Sequence, residues 1–348
     1  MTRLLLLSLL LFPPLLAAQA PPVKLTVSPA AEPKPALRYE LLTPGREKVS
    51  GNAAHHYLKA MLARPTPERG KAGEDDKKVL AWEEAAIDKL PADEVKEYLA
   101  RYKAAFRELE YGARCKTCEW VSAPVGATDA VTEVIGTVQG QREIARLLAM
   151  RVRLEMAEKR YDDAARTLRT GVQYGKHLAE GNSLIQMLVG QAVTAVFLAK
   201  VDEFVARPGA PNLYWGLSSL PRPLIDPRPG LDGEDALNES FLPGLADLRK
   251  GPVSAERALD VAENALRVMA AASGEESPLA AFGARVGIAG YASLVQAEAK
   301  KELLARGHNS KDVDAMPAVQ AVFLNSFETY REVADDHRKW FLMPHADA

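Results

Sequence analysis

The chain has 348 residues, with 44 Lys and Arg against 46 Asp and Glu, and 47% of it is hydrophobic. That composition excludes a disordered chain, which carries fewer apolar residues and a larger net charge. A formal net charge of −2 gives no general electrostatic reason to seek nucleic acid or anionic lipid, and two cysteines exclude a disulfide-built scaffold.

Residues 1–20 read as an export signal. Arg3 supplies the positive start, and Leu4 to Leu16 form an apolar run broken only by Ser8 and the Pro13-Pro14 pair. Ala18-Gln19-Ala20 is an A-x-A cleavage site. As a helix the run spans about 20 Å, short of a bilayer core of about 30 Å. Pro21 is a poor residue just after a cut, which leaves open a retained anchor, the one route to membrane contact. No cysteine follows the run, against a lipoprotein. The expected location is outside the cytoplasm, periplasmic or secreted.

Residues 21–50 carry six prolines and are expected to be extended, with room for one short strand where Val23, Leu25 and Val27 alternate with polar residues. Asn52 is placed to cap a helix running to about Ala63, where Pro65 stops it. Residues 64–78 read as a polar loop. Helices follow: Val79–Leu90, ended by Pro91, then one carrying Val95, Leu99, Tyr102, Phe106 and Leu109 on a single face. After a loop at Pro124 and Gly126, a long helix runs from about Asp129 to Glu158 with Ile144, Leu147, Leu148 and Leu154 as its stripe.

Arg160-Tyr161-Asp162-Asp163-Ala164-Ala165-Arg166-Thr167-Leu168 resembles the start of the second helix of a tetratricopeptide repeat. The match covers half a repeat. Glu155 stands at the repeat's aromatic position, Lys159 replaces its glycine, and no second copy follows after 34 residues. The resemblance implies one helical hairpin over about 142–179, not a solenoid with a concave binding groove.

Gly181 to Ala199 holds nineteen residues without a charge, yet Gln186, Gln191 and Gly190 interrupt it and Val201–Val205 continues the helix past Lys200 and Asp202. A helix buried on all sides fits better than a membrane span. Residues 207–230 hold six prolines and form a loop, within which a short helix is expected to insert Tyr214 and Trp215 into something apolar. Four helices are expected after it: 232–249, 254–272 capped by Ser254, 278–306 started by Ser277-Pro278 and stopped by Gly307, and 317–341. In the third, Gly283, Gly287 and Gly290 predict close approach of another backbone.

The blocks Ala210-Pro211-Asn212-Leu213-Tyr214-Trp215, Leu220-Pro221-Arg222-Pro223-Leu224-Ile225-Asp226, Ala315-Met316-Pro317 and Lys339-Trp340-Phe341 resemble an uncharacterised secreted α-helical protein family of planctomycete-type bacteria, over most of the mature chain. The resemblance implies export and helical architecture. It implies no activity and no functional residues.

Cys115-Lys116-Thr117-Cys118 is the sharpest local motif. A small disulfide or inert thiols, a regulatory or intermolecular thiol, redox catalysis and metal binding all stand as readings. Arg114 and Lys116 favour a thiolate, but no strand–helix alternation surrounds the pair. Glu119 stands where a c-type haem needs histidine, and no second cysteine pair completes a zinc site. His55 and His56 diverge by about 100° on a helix. His177, His308, His337 and His345 stand alone and suit surface or capping roles. Glu328, Glu332, Asp335 and Asp336 interleave with Arg331, Arg338 and Lys339 as a salt-bridged face. Nucleophile-elbow, phosphate-loop and dinucleotide motifs do not occur. Tyr214, Trp215, Trp340 and Phe341 are candidate binding aromatics, or else anchors that dock a loop and a terminus.

Together these features predict an all-α domain of stacked helical hairpins over residues 51–348, tetratricopeptide-like in part, behind an extended Pro-rich segment. No cofactor, metal ligand set or catalytic residue is assigned. The expected role is a non-enzymatic binding or scaffold protein whose partner is a protein or envelope component. An envelope-acting enzyme with an unrecognised helical site is the alternative, with a membrane-anchored structural component third.

Overall fold

The computed structural model describes residues 26–65, 72–120, 129–181, 183–233, 244–273 and 284–343. The export segment, the Ser277-Pro278 helix start and Gly283 lie outside them. The chain is mostly helical, with helices packed in pairs.

Residues 26–48 form a strap over the helices. Ser28 N–H donates to the Val205 carbonyl at 2.9 Å, and Thr43 Oγ1 donates to the Ala113 carbonyl at 2.8 Å. The strap is extended apart from 3₁₀ turns at Ala36–Tyr39 and Gly45–Glu47. Of the short strand expected around Val23 to Val27, residues 23–25 lie outside the described residues and Thr26 and Val27 form no strand; β1 at Val49–Asn52 pairs in parallel with β2 at Cys115–Thr117.

Helix α1 spans Ala53–Leu62, and Asn52 caps it by accepting the Ala54 N–H at 3.1 Å. Helix α2, Ala72–Glu84, begins inside the expected 64–78 loop. Asp75 falls in its first turn, where the positive helix end favours it, and pairs with Arg101 at 2.9 Å. It stops at Glu84 rather than running to Leu90. Arg153, almost fully buried, donates to the carbonyls of Trp82, Glu83 and Ala85 and so caps that end from another helix. The next expected helix is two, α3 at Ala92–Ala100 and α4 at Lys103–Ala113. All five residues of its predicted face are buried nonetheless.

Helices α5 (Asp129–Ala157), α6 (Tyr161–Ala179) and α7 (Leu184–Val205) form the centre. Lys159 turns the chain between α5 and α6 at φ +58°, the position the repeat gives to glycine. Helices α6 and α7 lie close because Gly190 stands against the backbone of Ala179, where a Cβ would come within 2.3 Å of its nitrogen. Helix α7 is not buried on all sides. Val189, Val193, Phe197, Val201 and Phe204 face inward, while Ala192, Ala195, Val196 and Ala199 are exposed. It is long and apolar enough to cross a membrane, and its inward face packs on α5 and α6. One large core runs from Leu41 to Leu213 through all these elements.

Helix α8 (Tyr214–Ser218) follows in the Pro-rich stretch. Of the expected helix over 232–249, residues 232 and 233 belong to a helical stretch from 228, residues 234–243 lie outside the described residues, and α9 covers Leu245–Lys250, entered through Gly244 at φ +95°. Helix α10 (Ala255–Ser273) has the expected cap, with Ser254 Oγ accepting the Arg257 N–H at 3.2 Å. Helix α11 (Ala284–Ala305) stops at Gly307, φ +90°. A short helix α12, Ser310–Ala315, absent from the sequence reading, is capped by Asn309 and precedes α13, Ala318–Leu342. Among the described residues, two small clusters serve as the core of this part. The close approach predicted at Gly283, Gly287 and Gly290 is not made at the last two: among the described residues no atom beyond the helix's own backbone lies within 4 Å of a Cβ built on Gly287 or Gly290.

Candidate functional site

The turn between α5 and α6 separates two concavities, and Asp163 lines both. The wider is an open groove of about 660 Å³ between the strap, the α5–α6 turn and the start of the Pro-rich stretch. Pro29, Ala30, Tyr39, Tyr161 and Pro211 supply apolar and aromatic surface, and Lys159, Arg160 and Asp162 supply charge. Its walls are tied together. Tyr39 OH donates to Asp162 Oδ1 at 2.7 Å, Arg38 Nη2 pairs with Asp162 Oδ2 at 3.0 Å, and Tyr161 OH donates to the Pro208 carbonyl at 3.0 Å. Burial, then the bond to Asp162, raises the Tyr39 phenol above its ordinary range, so the hydroxyl stays a donor. Asn212 Nδ2 reaches the Ala30 carbonyl at 3.3 Å and fixes the far wall.

Tyr214 and Trp215 stand on the element beside this groove. Helix α8 forms as expected, but the rings are not inserted. The buried residues there are Leu213 and Gly216, and a Cβ on Gly216 would lie 2.1 Å from the Tyr39 carbonyl oxygen. That contact presents the Leu213–Gly216 side of the turn to the strap and leaves Tyr214 61% and Trp215 42% exposed. The rings meet edge to face at 5.1 Å, and Trp215 Nε1 donates to Glu32 Oε1 at 2.6 Å. Trp340 is 66% exposed near the end of α13, and the side chain of Phe341 lies outside the described residues.

A third feature is wholly internal. His177 is not on the surface: it is buried in α6, and its Nδ1 shares a 2.7 Å hydrogen bond with Tyr57 OH. Tyr174 packs edge-on to Tyr57 at 4.6 Å, and Trp120 stacks over Tyr57 while its Nε1 donates to the His177 carbonyl. Burial pushes the imidazole down to about 4, so it is neutral at pH 7. The side-chain amide of Gln141 is buried without a hydrogen-bond partner, and the backbone carbonyl of Gln141 accepts from Tyr174 OH at 3.4 Å.

Cys115 opens β2, opposite Val49, and Cys118 follows the strand beside this aromatic group; both are thiols in this structure. Burial raises both above the ordinary thiol range. Arg114 is turned toward the Glu47 carbonyl. Cys118 takes a hydrogen bond from the Ala54 N–H in the first turn of α1, which favours the thiolate, but burial outweighs it and holds the group as a thiol. His56 lies against Glu108 at 2.8 Å. On α13, Glu332 pairs with Arg306 at 2.7 Å and Asp335 with Lys339 at 2.7 Å. Among the described residues no group of three His, Cys, Asp or Glu side chains is placed to hold a metal.

The structure therefore brings Tyr214 and Trp215 together with the strap, and Cys115 and Cys118 close to Tyr57, the partner of His177. Sequence reasoning missed Tyr39, Tyr161 and Glu32, whose roles depend on contacts across the strap. No protein-family model, curated protein or solved structure matches the chain.

Proposed function

We propose that the protein is exported and acts as a non-enzymatic binding or scaffold protein of the cell envelope, built around a tetratricopeptide-type hairpin formed by α5 and α6. The partner is a protein or other envelope component, held along the strap and α8. The observation that carries this reading is the exposure of Tyr214 and Trp215 beside an open groove floored by Tyr39 and Tyr161. Rings with an apolar body and a polar tip recur at binding surfaces, because they add contact area while losing little side-chain entropy. Here the groove walls are already fixed by hydrogen bonds, which lowers the ordering cost of association.

A photo-crosslinking residue at position 214 tests the reading in the intact cell. One dominant adduct at 214, missing when the same residue is placed at Leu304 on the far helix α11, supports it. Equal labelling at both positions, or none at 214, sinks it. Amino-terminal sequencing of the purified protein tests export separately: the expected chain starts at Pro21, and one that starts at Met1 or Thr2 supports an anchor.

A further inference from the structure

The second concavity, on the other side of Asp163, has a different chemistry. It is a cleft of about 320 Å³ between the end of α4, the carboxy-terminal part of α5 and the first half of α6. Four of its lining residues are arginines: Arg114, Arg151, Arg166 and Arg169. Thr167 and Thr170 add hydroxyls on the α6 wall.

These arginines are braced by carboxylates. Arg151 gives Nε to Glu155 Oε1 at 2.9 Å and Nη1 to Glu110 Oε1 at 2.8 Å. Its guanidinium also lies 5.5 Å from the centre of the Phe106 ring. Arg169 pairs through Nη2 with Glu47 Oε2 at 2.9 Å, and Arg166 pairs through Nη2 with Asp163. Each of these bonds occupies one part of a planar fork with five N–H groups. The bracing fixes the guanidiniums without using all their donors. Because the acids balance much of the charge, the cleft selects by directed N–H bonds more than by net field. Planar forks of this kind match the oxygens of carboxylate and phosphate. The volume suits a small molecule rather than a polymer segment.

We propose that this cleft binds a small oxyanion-bearing ligand, a phosphorylated or carboxylated metabolite, through Arg166 and Arg169. The site is distinct from the aromatic groove, although the two share Asp163, which pairs with Arg160 on the groove side and Arg166 on the cleft side.

Equilibrium dialysis of the full chain against labelled inorganic phosphate, and separately against labelled succinate, tests it at fixed ionic strength. Fixed ionic strength matters because exposed pairs are screened by salt. The expected result is saturable binding of at least one anion. Arg166→Gln and Arg169→Gln should each weaken it about tenfold, the loss expected for one charge-assisted bond. Arg169→Lys should weaken it less, and Arg222→Gln, in the exposed Pro-rich loop, should leave it unchanged. Stronger binding of phosphate assigns a phosphoryl ligand, and stronger binding of succinate a carboxylate. Absence of saturable binding for both anions overturns the proposal. So does binding that both glutamine variants retain in full while their circular dichroism matches the parent.

Discussion

The amino-terminal and carboxy-terminal parts of the chain use the same helices to different ends. From Leu41 to Leu213 a single continuous core absorbs Tyr57, Tyr174, Phe197 and Phe204 completely. From Gly244 onward, among the described residues, two small clusters made mostly of Ala, Val and Leu do the same work. There Val286 is 79%, Leu294 84% and Trp340 66% exposed. The difference lies in helix spacing. Helices α6 and α7 touch through glycine, so large rings fill what remains between the elements. Helix α11 touches its neighbours along one side and leaves its glycines in open space. Stability is therefore concentrated in the first part.

Core truncation breaks the comparison most directly. Phe197→Ala should cost about 3–5 kcal/mol, because the ring is fully buried and the cavity cannot fully collapse. Leu294→Ala, on the exposed side of α11, should change stability by less than about 0.5 kcal/mol. Urea unfolding of both variants checks this. A comparable loss in the two would mean that α11 is covered in solution. Gly190→Ala comes next. The new methyl would stand 2.3 Å from the Ala179 nitrogen, so α6 and α7 must separate, at about 3 kcal/mol. An unchanged urea midpoint would show that the two helices are not as close as described.

Features carried by neighbours in the chain were legible in the sequence. Asn52, Ser254 and Gly307 end helices where their residue types say they should, since a cap contacts only the first or last turn. The buried face of Val95, Leu99, Tyr102, Phe106 and Leu109 was legible too, because periodicity survives the break at Arg101. What was illegible depends on distant partners. Tyr57 meets His177 across 120 residues, and Arg153 ends α2 from about 70 residues away. An isolated histidine and an arginine in a helical stripe carry no sign of either. Of the candidate site, the Tyr214-Trp215 pair was visible but not its direction, because Gly216 sets that direction through a strap nearly 180 residues earlier.

The buried His177 sharpens the comparison by pH. Its ordinary value is 6.5, and burial lowers it to about 4 in the folded chain. Between these values the unfolded chain takes up a proton that the folded chain refuses. Its contribution to stability is thus complete above about pH 6.5 and declines as pH falls toward 4. The expected loss is on the order of 2 kcal/mol at pH 5. His177→Gln should remove most of that slope between pH 7 and 5, as measured by urea unfolding. Asp88, Asp163 and Glu158, held low by their basic partners, add a further loss at lower pH in both proteins. An unchanged slope in the variant would place the acid sensitivity elsewhere.

The smallest effect discriminates most finely between the two parts. Gly290→Ala, in the middle of α11, introduces a methyl that meets nothing within 4 Å. Alanine also restricts the unfolded chain and favours the helix, so the variant should be more stable by about 1 kcal/mol. The same substitution then has opposite signs at Gly190 and Gly290, which isolates helix spacing as the cause. Urea midpoints taken at two protein concentrations make the test decisive. A gain at Gly290 that is independent of concentration fits an open helix face. A loss that grows with concentration would mean that copies of the chain pack through α11, and that the contrast between the two parts belongs to the isolated chain alone.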